Sequence, residues 1–149
     1  MTVDVTTCLC LIHRLHPEAK VPAYAKPGDS GMDIAAIYEY VLPPGRPVKV
    51  STGIAVGLPV GYEVQVRPRS GMSLRGIWAA PGTVDSGYVG EVCVTLLNVT
   101  DDVQAIAKGD RVAQLVLMPV PRVGWVEVQT QAELGTTERG TSGHGSTGS

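Results

Sequence analysis

The sequence has no phenylalanine, and aromatic residues make up only 5% of its 149 positions. It also lacks an excess of charge, because 12 Lys and Arg residues stand against 14 Asp and Glu residues, for a net charge of −2. Binding of long nucleic acid relies on many basic residues that neutralise phosphates. The charge balance therefore gives little support for long nucleic acid as a partner, although a few arginines could still hold a small anion.

Long apolar runs and paired cysteines are missing as well. The apolar stretch near the start, residues 8–12, is too short to span a membrane, and no basic segment precedes it as in a signal peptide. Cys8, Cys10 and Cys93 form an odd set without the spacing of a disulfide framework. We therefore expect a cytoplasmic protein with free thiols and no membrane partner.

A zinc site near the start is a weaker interpretation. Cys8, Cys10, His13 and His16 could be proposed as ligands, but their spacing matches no standard structural zinc site. Buried thiols and solvated histidines are the favoured interpretation.

Glycine and proline are abundant, at 18 and 11 residues. This density would interrupt most helices, which argues against a helical bundle. The hydrophobic share of 44% argues against a disordered chain and suffices for a core of ordinary size. We predict one compact, turn-rich, all-β domain.

Short apolar runs recur between turn signals, which is typical of a β sandwich or jelly roll. Residues 63–67 alternate strictly between polar and apolar, as in a half-buried strand. The predicted strands are residues 8–13, 32–37, 38–42, 48–51, 54–58, 62–67, 92–98, 111–118 and 123–128, and the predicted short helices are residues 70–76, with Ser70 as a possible cap, and 131–134.

The composition changes to Thr, Ser and Gly from Thr136 onward. Such a segment cannot build a core of its own. We therefore predict a jelly-roll domain at residues 1–135 and a flexible C-terminal arm at residues 136–149.

Three internal segments could carry chemistry, although each has a plainer interpretation. Arg69 and Ser70 stand at a predicted helix start, where main-chain N–H groups could hold an anion, or could simply form a capped helix with a surface arginine. Asp85 is an exposed carboxylate that could take a proton from water, or part of a hairpin turn. Gln114 interrupts an apolar run, on the opposite parity to the outward positions Arg111 and Ala113. Its amide needs a partner in a neighbouring backbone or in a ligand.

Two further segments lie nearer the ends. Asp33 alternates into a strand and is most simply a polar residue of an edge strand. In the tail, Arg139 leads a run of glycines and hydroxyl residues whose composition is that of a phosphate-cradling loop, and His144 stands between glycines where its ring could lie flat on a base. A disordered end is the plainer interpretation of this tail.

Together and in this order, the five segments resemble the five motifs of the trimeric dUTP pyrophosphatases (dUTPases), from about residue 29 to the C-terminus. The segments that carry the resemblance are Ser30-Gly31-Met32-Asp33-Ile34, Pro68-Arg69-Ser70-Gly71-Met72, Gly82-Thr83-Val84-Asp85-Ser86-Gly87-Tyr88, Gly109-Asp110-Arg111-Val112-Ala113-Gln114, and Arg139-Gly140 followed after two residues by Gly143-His144-Gly145-Ser146-Thr147-Gly148.

The resemblance implies a single-domain β jelly roll of the dUTPase-like β-clip type. It further implies a homotrimer that exchanges C-terminal arms and builds three active sites at subunit junctions. The implied reaction is hydrolysis of dUTP to dUMP and pyrophosphate with Mg²⁺ as cofactor. No dedicated protein cage for the metal is expected, because the triphosphate brings most of its ligands.

The resemblance also implies roles for individual residues. Asp85 would orient and deprotonate the attacking water, and Arg139 would act on the γ-phosphate. Asp33 would steady Mg²⁺ through a water molecule, and Tyr88 would pack under the deoxyribose and exclude a 2′-hydroxyl. The remaining implied substrate-binding residues are Arg69, Ser70 and Gly71 for phosphates, Gly82, Thr83 and Val84 for the uracil edge, Gln114 for the α-phosphate region, His144 for stacking on uracil, and Gly145, Ser146 and Thr147 as residues of the closing arm.

The chain departs from the family pattern in a few places. His144 stands where the family usually has Phe, and Val89 replaces a common Arg. Two rival functions remain. A dCTP deaminase would share the fold but needs a Glu near the pyrimidine amino group, and a dUTPase-like protein could act as a nucleotide-responsive binding partner.

Overall fold

The computed structural model describes residues 7–138, 140 and 141, and within them the chain is nearly all β. The strands form two four-stranded sheets, with strand orders β1-β4-β8-β6 and β2-β10-β5-β7, and a two-stranded sheet, β3-β9, and the pairs are antiparallel. The strands are β1 (Leu11–Arg14), β2 (Met32–Ala35), β3 (Tyr40–Leu42), β4 (Pro47–Gly57), β5 (Tyr62–Arg67), β6 (Ile77–Ala79), β7 (Gly82–Val84), β8 (Glu91–Asn98), β9 (Gln104–Ile106) and β10 (Arg111–Pro119). This arrangement confirms the predicted all-β jelly roll.

The core forms because each long strand has one apolar face. In β8, Val92, Val94 and Leu96 are buried while Cys93 and Thr95 face the other way. The same alternation buries alternate residues of β5, as the sequence predicted. The apolar faces of the two large sheets contribute to one continuous cluster of buried residues, which leaves polar side chains outside to form a site.

Irregular pairing interrupts two strands. Ser51 pairs with Cys93 and Ala55 pairs with Glu91, so three residues of β4 lie opposite one residue of β8. In β10, Arg111 pairs with Ala35 and Ala113 pairs with Ile34, so Val112 is an extra residue. Such bulges bend a strand and change which face its side chains occupy.

Asn98 is a buried polar residue that ties three segments together. Its Nδ2 donates to the carbonyl oxygens of Leu42 and Asp102, and its Oδ1 accepts from the main chain and the hydroxyl of Thr100. Gly45 N–H donates to the Asn98 carbonyl oxygen. All polar groups of this side chain are thus satisfied, which a fully buried amide requires.

Several predicted element boundaries were wrong. Gly53 does not separate two strands but lies within β4, and the stretch 123–128 forms no strand. The strands β6, β7 and β9 were not predicted, and β1 begins at Leu11 rather than at Cys8. The two short helices were located correctly, as α1 (Ser70–Leu74) and a 3-10 turn at Gln131–Leu134.

Across the described part of the chain, we find no helix that combines the length and apolar character needed to cross a membrane. The three cysteines are free thiols.

Candidate active site

The predicted site residues that the structure describes gather in two pockets. One pocket of about 300 Å³, here called the anion pocket, is lined by Ala23, Ala25, Asp29, Ser30, Gly31, Asp33, Arg69, Ser70, Gly71 and Gln114. The other, of about 260 Å³ and here called the hairpin pocket, is lined by Lys49, Val66, Gly82, Thr83, Val84, Asp85, Tyr88, Glu91, Val92 and Cys93. The two groups have no residue in common.

Asp33 organises the cationic side of the anion pocket. Its Oδ1 accepts from Arg69 Nε at 2.7 Å, and its Oδ2 accepts from Arg111 Nη1 at 3.1 Å. Arg69 Nη1 also donates to the Arg111 carbonyl oxygen at 3.1 Å. These charge-assisted bonds fix the Arg69 guanidinium at the pocket wall. Because the Asp33 carboxyl is still 28% exposed, it remains open to a further partner.

Sequence reasoning gave Arg111 no role, and the bulge in β10 explains why. The expected alternation put Arg111 and Ala113 on one face and Gln114 on the other. The extra residue Val112 reverses the parity, so that Ala113 is fully buried and Arg111 and Gln114 share the face of Asp33. The expected outward position of Ala113 was therefore wrong, and no local sequence signal marks this bulge.

Gln114 is held against the backbone while it lines the anion pocket. Its Nε2 donates to the Pro68 carbonyl oxygen at 3.0 Å. On the other side, its amide lies so close to Gly31 that a Cβ there would overlap Gln114 Oε1. The amide thus has the backbone partner that its position in the strand requires, and it also faces the pocket.

Helix α1 brings Ser70 and Gly71 to the same pocket. Arg69 occupies the N-cap position of the helix, but no side chain makes a capping hydrogen bond there. The expected cap by Ser70 was therefore wrong. A Cβ placed on Gly71 would meet no atom within 4 Å, which means that the backbone at this position is open on its side-chain side. Ser70 and Gly71 therefore present main-chain and hydroxyl groups beside Arg69.

The hairpin pocket is bordered by an edge strand. β7 pairs with β5 on one side only, with Thr83 opposite Gln65 and Gly82 opposite Val66. Main-chain N–H and C=O groups on the free edge of such a strand have no ladder partner and can read a flat polar ligand. Asp85 follows β7 directly and is exposed.

Tyr88 is fixed by its main chain and by its hydroxyl. Its N–H donates to the Asp85 carbonyl oxygen at 3.0 Å, and its hydroxyl donates to the Glu91 carbonyl oxygen at 2.9 Å. The ring lies directly on Gly90, where a Cβ would come within 2.7 Å of the ring carbon Cζ. Gly90 is therefore required for this ring position.

Two polar residues of β8 were missed as site residues. Glu91 and Cys93 share the outward parity of the strand and line the hairpin pocket, which strand alternation could have revealed. Burial raises the pKa of the Cys93 thiol, and the nearby Glu91 adds to the effect. Cys93 therefore contributes a neutral thiol to the pocket at neutral pH.

Asp85 and Arg69 do not line the same pocket of this chain. Asp85 lines the hairpin pocket, and Arg69 lines the anion pocket together with Asp33 and Gln114. The tail positions Arg139, His144, Gly145, Ser146 and Thr147 lie outside the described residues, so their predicted roles stay predictions.

The side chains around Asp33 fit a metal ion that is coordinated mainly by a bound small molecule rather than by the protein. Among residues 7–138, 140 and 141, no group of three or more His, Cys, Asp or Glu side chains is close enough to hold a metal ion. Cys8, Cys10, His13 and His16 therefore do not form such a group in the described part of the chain. The anion pocket has hard carboxylate oxygens in Asp29 and Asp33, which suit an outer-sphere contact to Mg²⁺.

Known proteins are similar to this chain in sequence. The dUTPase family model matches residues 17–148. The chain is 47% identical over 142 residues to the deoxyuridine 5′-triphosphate nucleotidohydrolase of Thermobifida fusca, covering 92% of this chain and 77% of that protein. It is 44% identical over 142 residues to the protein of the same name from Hydrogenobaculum sp., covering 93% and 96% of the two chains.

A solved structure agrees with these sequence matches. The Staphylococcus bacteriophage 80alpha dUTPase with dUPNHPP superimposes with a TM-score of 0.83 at 25% identity, over 96% of this chain and 100% of that chain.

Proposed function

This chain belongs to the dUTPase family, and from that premise we propose that it hydrolyses dUTP to dUMP and pyrophosphate with Asp85 as the general base. The proposal rests on the presence of two kinds of group in two separate pockets. Asp85 is an exposed carboxylate beside an edge strand, and Arg69, which Asp33 holds in place, lines the other pocket. Attack by water on a nucleoside triphosphate requires both a group that accepts a proton and a group that stabilises negative charge.

The hairpin pocket would take the nucleoside. Main-chain groups of Gly82, Thr83 and Val84 would bind the uracil edge, and the Tyr88 ring would lie under the deoxyribose. Its position, fixed by the hydrogen bond to the Glu91 carbonyl oxygen, supports exclusion of a 2′-hydroxyl. His144 from the tail would stack on the base.

The anion pocket would take the triphosphate. Arg69, Ser70 and Gly71 would hold phosphate oxygens, and Gln114 would contact the α-phosphate region. Arg139, Ser146 and Thr147 would add donors when the tail, including Gly145, closes over the nucleotide.

In the chemical step, Asp85 would take a proton from a water molecule while the oxygen of that water forms a bond to the α-phosphorus. The bond between the α-phosphorus and the bridging oxygen breaks, and pyrophosphate leaves. Mg²⁺ on the triphosphate supplies charge stabilisation. Asp33 would hold that ion through a water molecule, and the remaining exposure of its carboxyl supports this role.

We further propose that the protein works as a cytoplasmic homotrimer with exchanged arms. The separation of Asp85 from Arg69 in one protomer supports a site that closes only between chains. A site of this kind needs the partner copy, as in other closed symmetric assemblies.

A nucleotide panel tests the reaction. We expect Mg²⁺-dependent pyrophosphate release from dUTP, and little from dTTP, dCTP or UTP. Equal rates on all four would contradict the assigned specificity. Ammonia release from dCTP would indicate the deaminase, and tight dUTP binding without turnover would indicate a nucleotide-responsive binding protein.

Replacement of Asp85 tests the proposed base. Asp85→Asn should bind dUTP with similar affinity and lose about 10²- to 10⁴-fold in turnover, because removal of a general base costs this much. Asp101→Asn, in an exposed turn outside both pockets, is the matched control and should keep full activity. Full activity of Asp85→Asn would remove Asp85 from the chemical step.

A further inference from the structure

Glu91 connects the irregular part of β4 with the wall of the hairpin pocket. Its Oε1 accepts a hydrogen bond from Gly53 N–H at 2.8 Å. Gly53 belongs to the three residues of β4 that lie opposite one residue of β8, and its φ is +70°. A bulge leaves main-chain groups without ladder partners. The Glu91 carboxylate supplies the missing acceptor in a charge-assisted bond.

The main chain of the same residue holds Tyr88. The Tyr88 hydroxyl donates to the Glu91 carbonyl oxygen at 2.9 Å, and the ring lies on Gly90, directly before Glu91 in sequence. The Tyr88 N–H reaches back to the Asp85 carbonyl oxygen at 3.0 Å. A displacement of residue 91 would therefore move the Tyr88 ring, and with it one wall of the hairpin pocket.

The bulge that Glu91 anchors is itself tightly packed. Thr52 is buried and donates its hydroxyl to the Val92 carbonyl oxygen, so the residues on both sides of the contact are fixed. At Gly53, a Cβ would come within 3.0 Å of the side chains of Ala19 and His16. The bulge is thus a rigid support, and the side chain of Glu91 transmits its position to the pocket.

We propose that Glu91 is a positioning residue for nucleoside recognition, which anchors the Tyr88 ring to the bulge of β4. The inference rests on the proposed function, because it takes the Tyr88 ring as the wall that excludes a 2′-hydroxyl. Glu91 acts through Tyr88 and takes no part in proton transfer.

Two variants separate the effect of the hydrogen-bond acceptor at residue 91 from the effect of its negative charge. Glu91→Gln keeps an acceptor oxygen for Gly53 N–H, whereas Glu91→Ala removes it. The exposed Glu39, which lines neither pocket, gives the matched control Glu39→Ala. Each protein is assayed with dUTP and UTP, and its melting temperature is recorded.

We expect Glu91→Ala to raise KM for dUTP by about tenfold, with kcat changed much less, and to lower the preference for dUTP over UTP by a similar factor. Glu91→Gln and Glu39→Ala should resemble the unaltered protein in KM, in kcat and in the preference for dUTP over UTP. A lower melting temperature of Glu91→Ala with unchanged KM and unchanged preference would overturn the proposal, since a purely structural residue would behave in this way. Equal losses in Glu91→Gln and Glu91→Ala would also overturn it.

Nuclear magnetic resonance separates failure of this inference from failure of the proposed function. The ring signals of labelled Tyr88, assigned with Tyr88→Phe, should change in Glu91→Ala and stay in place in Glu91→Gln. If the unaltered protein does not hydrolyse dUTP, the proposed function fails, while the ring signals still decide whether Glu91 positions Tyr88. Unchanged ring signals in Glu91→Ala would overturn the positioning role whatever the activity.

Discussion

At the scale of single residues, the position of Gln114 depends on the missing side chain of Gly31. A Cβ at residue 31 would overlap Gln114 Oε1 and lie 2.8 Å from its Cδ. The amide is the flexible end of a side chain, so it can move away without disturbing the backbone. A small change at position 31 therefore acts on the anion pocket more than on the fold.

We predict that Gly31→Ala displaces the Gln114 amide and breaks its hydrogen bond to the Pro68 carbonyl oxygen. Loss of one such bond should lower the free energy of unfolding by about 1 kcal/mol. KM for dUTP should rise by about tenfold, because a misplaced binding group weakens substrate binding. Urea unfolding and steady-state kinetics measure the two effects.

Gly124→Ala is the control for this change, since a Cβ there would meet no atom within 4 Å. It should leave both quantities unchanged. An unaltered KM in Gly31→Ala would show that Gln114 does not contact the substrate.

Residue types in order were enough to identify the family, but they did not reveal how the residues are held. Asp33 was predicted from its motif, whereas its bonds to Arg69 and Arg111 depend on strands that are distant in sequence. Which guanidinium reaches a carboxylate depends on tertiary packing, so no single segment of sequence could have shown it.

At the scale of elements, strict alternation predicted β5, and the apolar run at residues 92–98 predicted β8 to within one residue. The predictions failed at β4, where Gly53 was interpreted as a break, and at β10, where the expected parity was wrong, because extra residues in the ladder change the pairing of both strands. A bulge arises from the match between two strands, and either strand alone gives no sign of it. The three-residue strands β6, β7 and β9 were missed because three residues are too few for a periodicity to emerge.

The C-terminal arm is the element whose removal should separate folding from activity. We propose that residues 1–135 fold without residues 136–149, because residues 136–138, 140 and 141 are exposed. Deletion of residues 136–149 should leave the melting temperature within a few degrees of the full chain. It should also abolish most dUTP hydrolysis, because the hydrogen-bond donors that we propose for the phosphates are lost with the arm. Circular dichroism and the pyrophosphate assay measure these outcomes, and unchanged hydrolysis would contradict a role for the arm.

At the scale of the whole molecule, the two pockets provide a test of the proposed assembly. Asp85→Asn damages the hairpin pocket, and Arg69→Ala damages the anion pocket. Each variant alone should be nearly inactive. If the proposed site takes one pocket from each of two chains, co-refolding the two variants in equal amounts should restore about one intact site in four. Activity that stays at the level of the single variants would show that both pockets of a site come from one chain.

The division between two pockets also has a consequence for inheritance. If the active site forms between two chains as proposed, a cell with one intact allele and one allele damaged in a single pocket would keep about half of its sites, the same share as if each chain carried its own site. Two alleles damaged in different pockets would instead complement each other. Under the proposed assembly, selection on activity would act on the junction between two chains, because each chain would supply only one of the two pockets of a site.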